Sequence, residues 1–186
     1  MFDFDPYEQL QKLRPMGSFA LTSEDLAPGQ PLAEAQRGAG RGGGDVSPQL
    51  SWSGFPAETK SFAVTCFDAD APTGSGWWHW AVANIPASVT SLAAGAGAPD
   101  ALATGALPEG SLVLQNENRE PRYRGSGPPA GSGVHRYFFA VHALDVAHLD
   151  LDPAVTTPAV LGFNCFFHGL ARGILIGTDV NPADAG

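Results

Sequence analysis

Three stretches of this chain are apolar on successive residues rather than on alternate ones: SFAVTCFD (61–68), WHWAVANIP (78–86) and HRYFFAVHALD (135–145). A strand sends its side chains to opposite faces in turn, so a run without a polar face has to be covered on both sides. Each run is rich in β-branched and aromatic residues and is bounded by Pro, Gly, Ser or Asp. The fold this allows is mainly β, an antiparallel β-sandwich with a few short helices at its periphery.

The remaining elements fit that frame. FALTS (19–23), LSW (50–52), SLVLQN (111–116) and GILIGTDV (173–180) read as further strands, and 23 Gly and 16 Pro point to many turns. Residues 6–13 suit one short helix. Thr157 followed by Pro158 is a helix N-cap and first-turn pair, and Val160, Phe163, Phe166, Phe167 and Leu170 then recur at spacings of three and four. That periodicity predicts an apolar helix face laid on the sheets. The Ala/Gly-rich segment 87–110 reads as a long surface connection, and RGAGRGGGD (37–45) as a mobile loop. The latter contains GxGxxG at Gly38, Gly40 and Gly43, but no strand precedes it and Pro48 follows where a pyrophosphate-binding helix would begin, so it is not a dinucleotide site. With no repeat and no linker, 186 residues make one domain over 1–186, with residues 1–18 as an N-terminal arm.

Charge narrows the function. A net charge of −9 with only ten Lys and Arg gives no field to gather nucleic acid or an anionic membrane. No segment approaches the roughly 20 apolar residues of a membrane span, so stable membrane insertion is not expected. The start MFDFDPYEQLQKL lacks the basic-then-apolar pattern of a secretory signal. Cys66 and Cys165 have no metal-like spacing and sit among aromatics, which predicts two buried thiols in a reducing cytoplasm.

The chemistry collects at strand ends. Phe62, Val64, Cys66 and Asp68 share one face of their strand, with Asp68 last before the turn. Asp70 follows within the turn, and the chain re-enters near His79, whose face continues by simple alternation through Ala81, Ala83 and Ile85. By the same alternation Trp78 and Trp80 share a face and Trp77 lies on the other. The third run places His135 with Tyr137, Phe139 and Val141. If the first two runs pair antiparallel and the third runs parallel to the second, both histidines and both acids meet at one rim. GSGPPAGSG (125–133) precedes His135, a stiff loop able to offer backbone N–H groups to an anion. Nearby carboxylates would raise the pKa of His79 and His135, making the rim locally cationic.

Three motifs then carry a resemblance: DVSPQLSWSGFP (45–56), ETKSFAVTCFDADAPTGSGWWHWAVANIP (58–86) and YRGSGPPAGSGVHRYFFAVHALD (123–145). Over residues 19–178 the chain resembles the phosphatidylethanolamine-binding protein (PEBP) family, which includes the Raf kinase inhibitor proteins, and more closely its bacterial and archaeal YbhB/YbcL-like branch. The resemblance implies one cavity for a phosphate-like anion or a phosphoethanolamine head group, with no cofactor. It implies ligand-binding roles for Asp68, Asp70, Pro72, His79, Gly125, Ser126, Gly127, His135 and Tyr137, and a cis bond at Ala71–Pro72. It also implies a regulator acting on a kinase or protease partner, and a homodimer is compatible with the apolar rim. Ala69 replaces the first proline of the usual Asp-Pro-Asp-Ala-Pro, and Asp45 stands where bacterial members carry Asn. No long C-terminal helix of the animal type follows residue 178, so the cavity mouth must be bounded differently. The alternative is a metal-assisted hydrolase built on the two acids and two histidines; HExxH, CxxC and GxSxG signatures are absent.

Overall fold

The computed structural model describes residues 4–182; residues 1–3 of the predicted arm lie outside the described residues. In chain order the strands are β1 (Gly17–Ser18), β2 (Ala20–Thr22), β3 (Leu50–Ser53), β4 (Ser61–Asp68), β5 (Trp77–Pro86), β6 (Ser91–Leu92), β7 (Leu112–Val113), β8 (Val134–Leu144) and β9 (Gly169–Val180). The helices are α1 (Pro6–Leu13), α2 (Ala101–Thr104) and α3 (Pro158–His168). They form a six-stranded sheet, ordered β1-β9-β8-β4-β5-β7, facing a three-stranded sheet, β2-β3-β6. Pairing is antiparallel except for the two-residue contact of β1 with β9, a parallel edge that the sequence did not announce.

Every residue of β4 is buried because the large sheet is covered on both sides. On the inner face Phe62, Val64, Trp80, Val82, Phe139 and Val141 pack against Leu50, Trp52 and Leu92 of the small sheet. On the outer face Ala63, Ala81, Ala83 and Leu144 pack with Leu161 and Cys165 of α3, and Tyr7 of α1 packs with Phe138 and Ala140. Small residues line the outer face where α3 lies close, and large ones fill the gap between the sheets.

Several expectations are corrected. The segment 37–45 is built rather than loose: 3₁₀ turns over Glu34–Gln36 and Ala39–Arg41 are tied by Gly38 N–H to Ser126 O at 2.8 Å and Asp45 N–H to Arg37 O at 2.9 Å. The connection 87–110 contains β6 and α2 and buries Leu92, Ala96, Ala101 and Leu107. Of SLVLQN only Leu112–Val113 pairs, and the last strand begins at Gly169, directly from α3. The helix begins as expected, with the Thr157 hydroxyl accepting from Val160 N–H, but its buried stripe is Pro158, Leu161 and Cys165. Val160, Phe163 and Phe167 are exposed, at 46%, 65% and 55%. The Ala71–Pro72 bond is trans, since the described residues contain no cis peptide bond.

Candidate functional site

Two β-bulges decide which side chains meet. Along β4–β5 the register runs Phe62↔Ile85, Val64↔Val82, Cys66↔Trp80, Phe67↔Trp78 and Asp68↔Trp77, with shifts between Phe62 and Val64 and between Cys66 and Phe67. Cross-strand partners share a face, so one extra β5 residue is inserted at His79 and another near Asn84, whose φ of 60° marks the distortion. The insertion at His79 turns its ring toward the face of Trp80, Cys66 and Asp68. This corrects simple alternation, which put His79 with Ala81 and Ala83. It also exchanges the tryptophans: Trp77 falls on the face of Asp68, while Trp78 packs against Phe67 on the other face, the rings tilted at 42° with centroids 4.4 Å apart.

β4 lies between β5 and β8 and is antiparallel to both, so β5 and β8 run the same way. Their starting ends carry His79 and His135 beside the end of β4, as the chain order suggested. His135 Nδ1 donates to Asp68 Oδ2 at 2.8 Å, and both side chains are buried. Its Nε2 lies 2.9 Å from the Ser132 hydroxyl, which also reaches Pro129 O at 2.7 Å. The Tyr137 ring stands edge-on to His79, with centroids 5.1 Å apart. Around this floor opens a cavity of about 450 Å³, lined by Asp68, Pro72, Trp77, His79 and His135, and by Gly125 to Pro129. Arg41 and Arg124 complete its wall.

Not every predicted residue reaches the cavity. Asp70 is buried but is held by Arg136, with Nε to Oδ2 at 2.7 Å, Nη2 to Oδ1 at 2.8 Å and the backbone N–H to Oδ2 at 2.9 Å. It anchors the start of β8 and does not line the cavity. Tyr137 lies behind His79 in the inner core; burial, with the charge of Asp68 second, pushes its hydroxyl pKa up and keeps it protonated. The glycine loop does not offer a row of amides. Gly125 N–H is spent on Asp45 Oδ1 at 2.8 Å and Ser126 N–H on Gln36 O at 3.3 Å, leaving Gly127 N–H without an internal bond among the described residues.

The electrostatics also differ from expectation. Burial lowers the pKa of His79, outweighing its hydrogen bond to Arg124 O and the charge of Asp68. Nδ1 donates to that carbonyl at 2.8 Å, so the neutral ring keeps Nε2 as an acceptor. Positive charge comes instead from Arg41 and Arg124, whose partners sit behind the wall. Arg41 Nη1 meets Asp179 Oδ2 at 2.6 Å, and Arg124 Nη1 meets Asp45 Oδ2 at 3.3 Å. Asp179, opposite His135 in the β8–β9 register, also accepts from the Ser126 hydroxyl at 2.6 Å. Asp45 and Asp179 thus hold both glycine loops and both arginines in place.

Arg41, Arg124 and Asp179 escaped the sequence reading, and Asp45 entered it only as a departure from the family's Asn. Their one signal was that four of only ten cationic residues, Arg37, Arg41, Arg122 and Arg124, flank the two glycine-rich stretches. Among the described residues no group of three or more His, Cys, Asp or Glu is placed to hold a metal ion. The metal-assisted alternative loses its ligand set here, because Asp70 is occupied by Arg136 and Asp68 by His135.

Comparison with known proteins agrees with this architecture. The family described as phosphatidylethanolamine-binding protein matches residues 22–180. The UPF0098 protein YbhB of Escherichia coli is 45% identical over 153 residues, covering 81% of this chain and 93% of YbhB. E. coli YbcL is 43% identical over 148 residues, 78% of this chain and 79% of YbcL. The crystal structure of YbcL superposes with a TM-score of 0.82 at 38% identity, covering 88% of this chain and 99% of YbcL. A PEBP homolog from Chlamydia trachomatis gives 0.70 at 29% identity, covering 88% and 97%. With the matched segment spanning most of its length, this chain belongs to the phosphatidylethanolamine-binding protein family, in the branch of YbhB and YbcL.

Proposed function

We propose that the cavity binds a small phosphate-like anion, either free or as the phosphoethanolamine head group of a lipid, and that the protein works as a binding module. The observation that carries this reading is the convergence of His79 and the His135–Asp68 pair under two guanidinium groups, in a cavity of about 450 Å³. That size suits a compact ligand. Arg41 and Arg124 meet phosphate oxygens, as guanidinium forks do. His79 Nε2 accepts a hydrogen bond from a P–OH, and Asp68 and the face of Trp77 suit an ammonium group on the same ligand. The two free buried thiols, Cys66 and Cys165, fit a reducing compartment, which favours the cytoplasm. No helix among the described residues is long and apolar enough to cross a membrane.

The test is the melting temperature in the presence of phosphate, phosphoethanolamine or ethanolamine. Ligand at 100 times its Kd stabilises by about 2.7 kcal/mol, so both phosphates raise the melting temperature and ethanolamine does not. His135→Ala abolishes the rise, and so does Arg124→Gln, which alters a partly exposed side chain and leaves the buried pair intact. Because His79 is neutral and a phosphate monoester loses its second proton near pH ~6, the complex takes up one proton above that pH. Affinity therefore weakens as pH rises from 6 to 8. Equal response to all three compounds, or affinity independent of pH, contradicts the reading.

A further inference from the structure

The outer face of the large sheet carries a second concavity, on the side away from the anion cavity. It is a groove of about 470 Å³ between α1 and α3, with walls that include Leu10, Phe67, Trp78, Phe163 and Phe166. The bulge that turns His79 inward is what turns Trp78 out into this groove.

Its floor is polar, which an ordinary interface patch does not require. Arg172 is 7% exposed, yet no carboxylate among the described residues lies within ion-pair distance of it. Its Nε donates to Nδ1 of His142 at 3.2 Å, and its guanidinium lies 4.7 Å from the centre of the Tyr7 ring. Nη2 has only a long contact with the Met16 sulfur at 3.8 Å, and Nη1 has no hydrogen bond among the described residues. Because His142 Nδ1 accepts, its proton sits on Nε2, a second donor lining the same groove. Burial, with Arg172 second, holds the His142 pKa well below the usual value and keeps that ring neutral. Thr65 and Tyr7, 3.4 Å apart through their hydroxyls, complete the floor.

The charge of Asp5 acts on Arg172 only from beyond ion-pair distance, so this buried cation has no hydrogen-bonded anion, which is costly, and it stays charged because arginine does not give up its proton. The groove therefore asks for one negative charge at its floor and apolar matter above it. We propose that this groove binds a single-chain amphiphile with a carboxylate head, of the fatty-acid class, its head on Arg172 and His142 and its chain along Phe67, Trp78 and Phe166. The exposed rings of Phe163 and Phe167, 4.9 Å apart, form the lip over which the chain enters.

The experiment compares dodecanoate with dodecyltrimethylammonium, which has the same chain and the opposite charge. Both are used below their micelle concentrations, and binding is read by melting temperature and by change in tryptophan emission, Trp78 being in the wall. Dodecanoate is expected to saturate and to raise the melting temperature, and the ammonium twin to do neither. Arg172→Met, shown to fold by circular dichroism and a cooperative melt, weakens dodecanoate about tenfold or more, the scale of a lost charged hydrogen bond. Phe163→Glu, at an exposed position, weakens it without touching the buried floor. The proposal is overturned if both head groups bind equally, if neither saturates, or if folded Arg172→Met binds as the parent does. It is also overturned if the protein sediments as a dimer that Phe163→Glu dissociates while dodecanoate does not bind, which would make the groove an interface between two copies.

Discussion

Gly125 shows how closely single residues are fitted around the cavity. A Cβ added there would stand 2.3 Å from the carbonyl carbon of Arg37, where the two glycine loops touch, whereas one added at Gly127 meets nothing within 4 Å. Gly125→Ala should cost about 1–3 kcal/mol as an overpacked site, and Gly127→Ala should stay within about 0.5 kcal/mol; urea melts of the two variants check this. Burial depresses the pKa of both His79 and His142 below the ordinary value of 6.5. The unfolded chain therefore binds more protons below that value, and stability is full above it and falls as the solution is acidified. Each ring contributes up to about 1.4 kcal/mol per pH unit in that window. His142→Gln, which keeps an acceptor for Arg172, should flatten the loss between pH 6.5 and 5 in denaturant melts. Asp68, His79 and His135 were legible because strand ends fix where a side chain emerges. Arg41, Arg124 and Asp179 were not, since an arginine leaving a glycine-rich loop carries no periodicity and Asp179 reads as one more residue of an edge-bound strand.

At the scale of elements, β5 and α3 show where period-based reading succeeds and where it turns over. Strand positions were right within a residue for β4, β5 and β8, yet the bulge at His79 reversed the faces of His79 and Trp78, and the one near Asn84 put Ile85 on the inner face, away from Ala83. A bulge is one residue out of register and leaves the composition of the strand unchanged, so alternation cannot reveal it. Asn84 sits at the second bulge and binds both backbone groups of Leu149, its amide donating to the carbonyl and its carbonyl accepting from the N–H. In α3 the residues at three and four spacing are apolar on two stripes, and the sequence reading chose the outward one. Leu161→Ala should cost about 2–5 kcal/mol as a buried deletion, while Phe163→Ser should be nearly neutral. Thr157→Ala should cost about 1 kcal/mol through the lost cap. If chemical denaturation reverses the order of Leu161 and Phe163, the packing of this helix is wrong.

For the whole molecule, the two-sided burial of the central strands was the readable fact, and it fixed the sandwich. The asymmetry was not readable: six strands face three, and the rest of the outer face is covered by α1 and α3 rather than by a further strand layer. Both helices were legible in the sequence, but a local window shows a helix without showing that the two together replace a strand layer over the outer face. α1 is joined to the body by Tyr7 and by Arg14, whose guanidinium donates to the Gly169 carbonyl at 2.9 Å. We therefore propose that arm and sandwich unfold as one domain, so thermal melts followed by tryptophan emission and by far-ultraviolet circular dichroism should coincide. The cavity of His79 and His135 and the apolar groove lie on opposite faces of the same sheet and share the bulge at His79.

Site-resolved nitrogen spectra of the histidine rings, recorded while phosphoethanolamine is added, test the cavity most directly. The chain has five histidines, and only His79 and His135 line the cavity. The Nε2 signal of His79 should move from the bare acceptor toward the hydrogen-bonded or protonated form and saturate together with a change at His135. His142, His148 and His168 should stay where they are. Saturation that leaves His79 and His135 unmoved while another ring responds would place the ligand elsewhere and contradict the account.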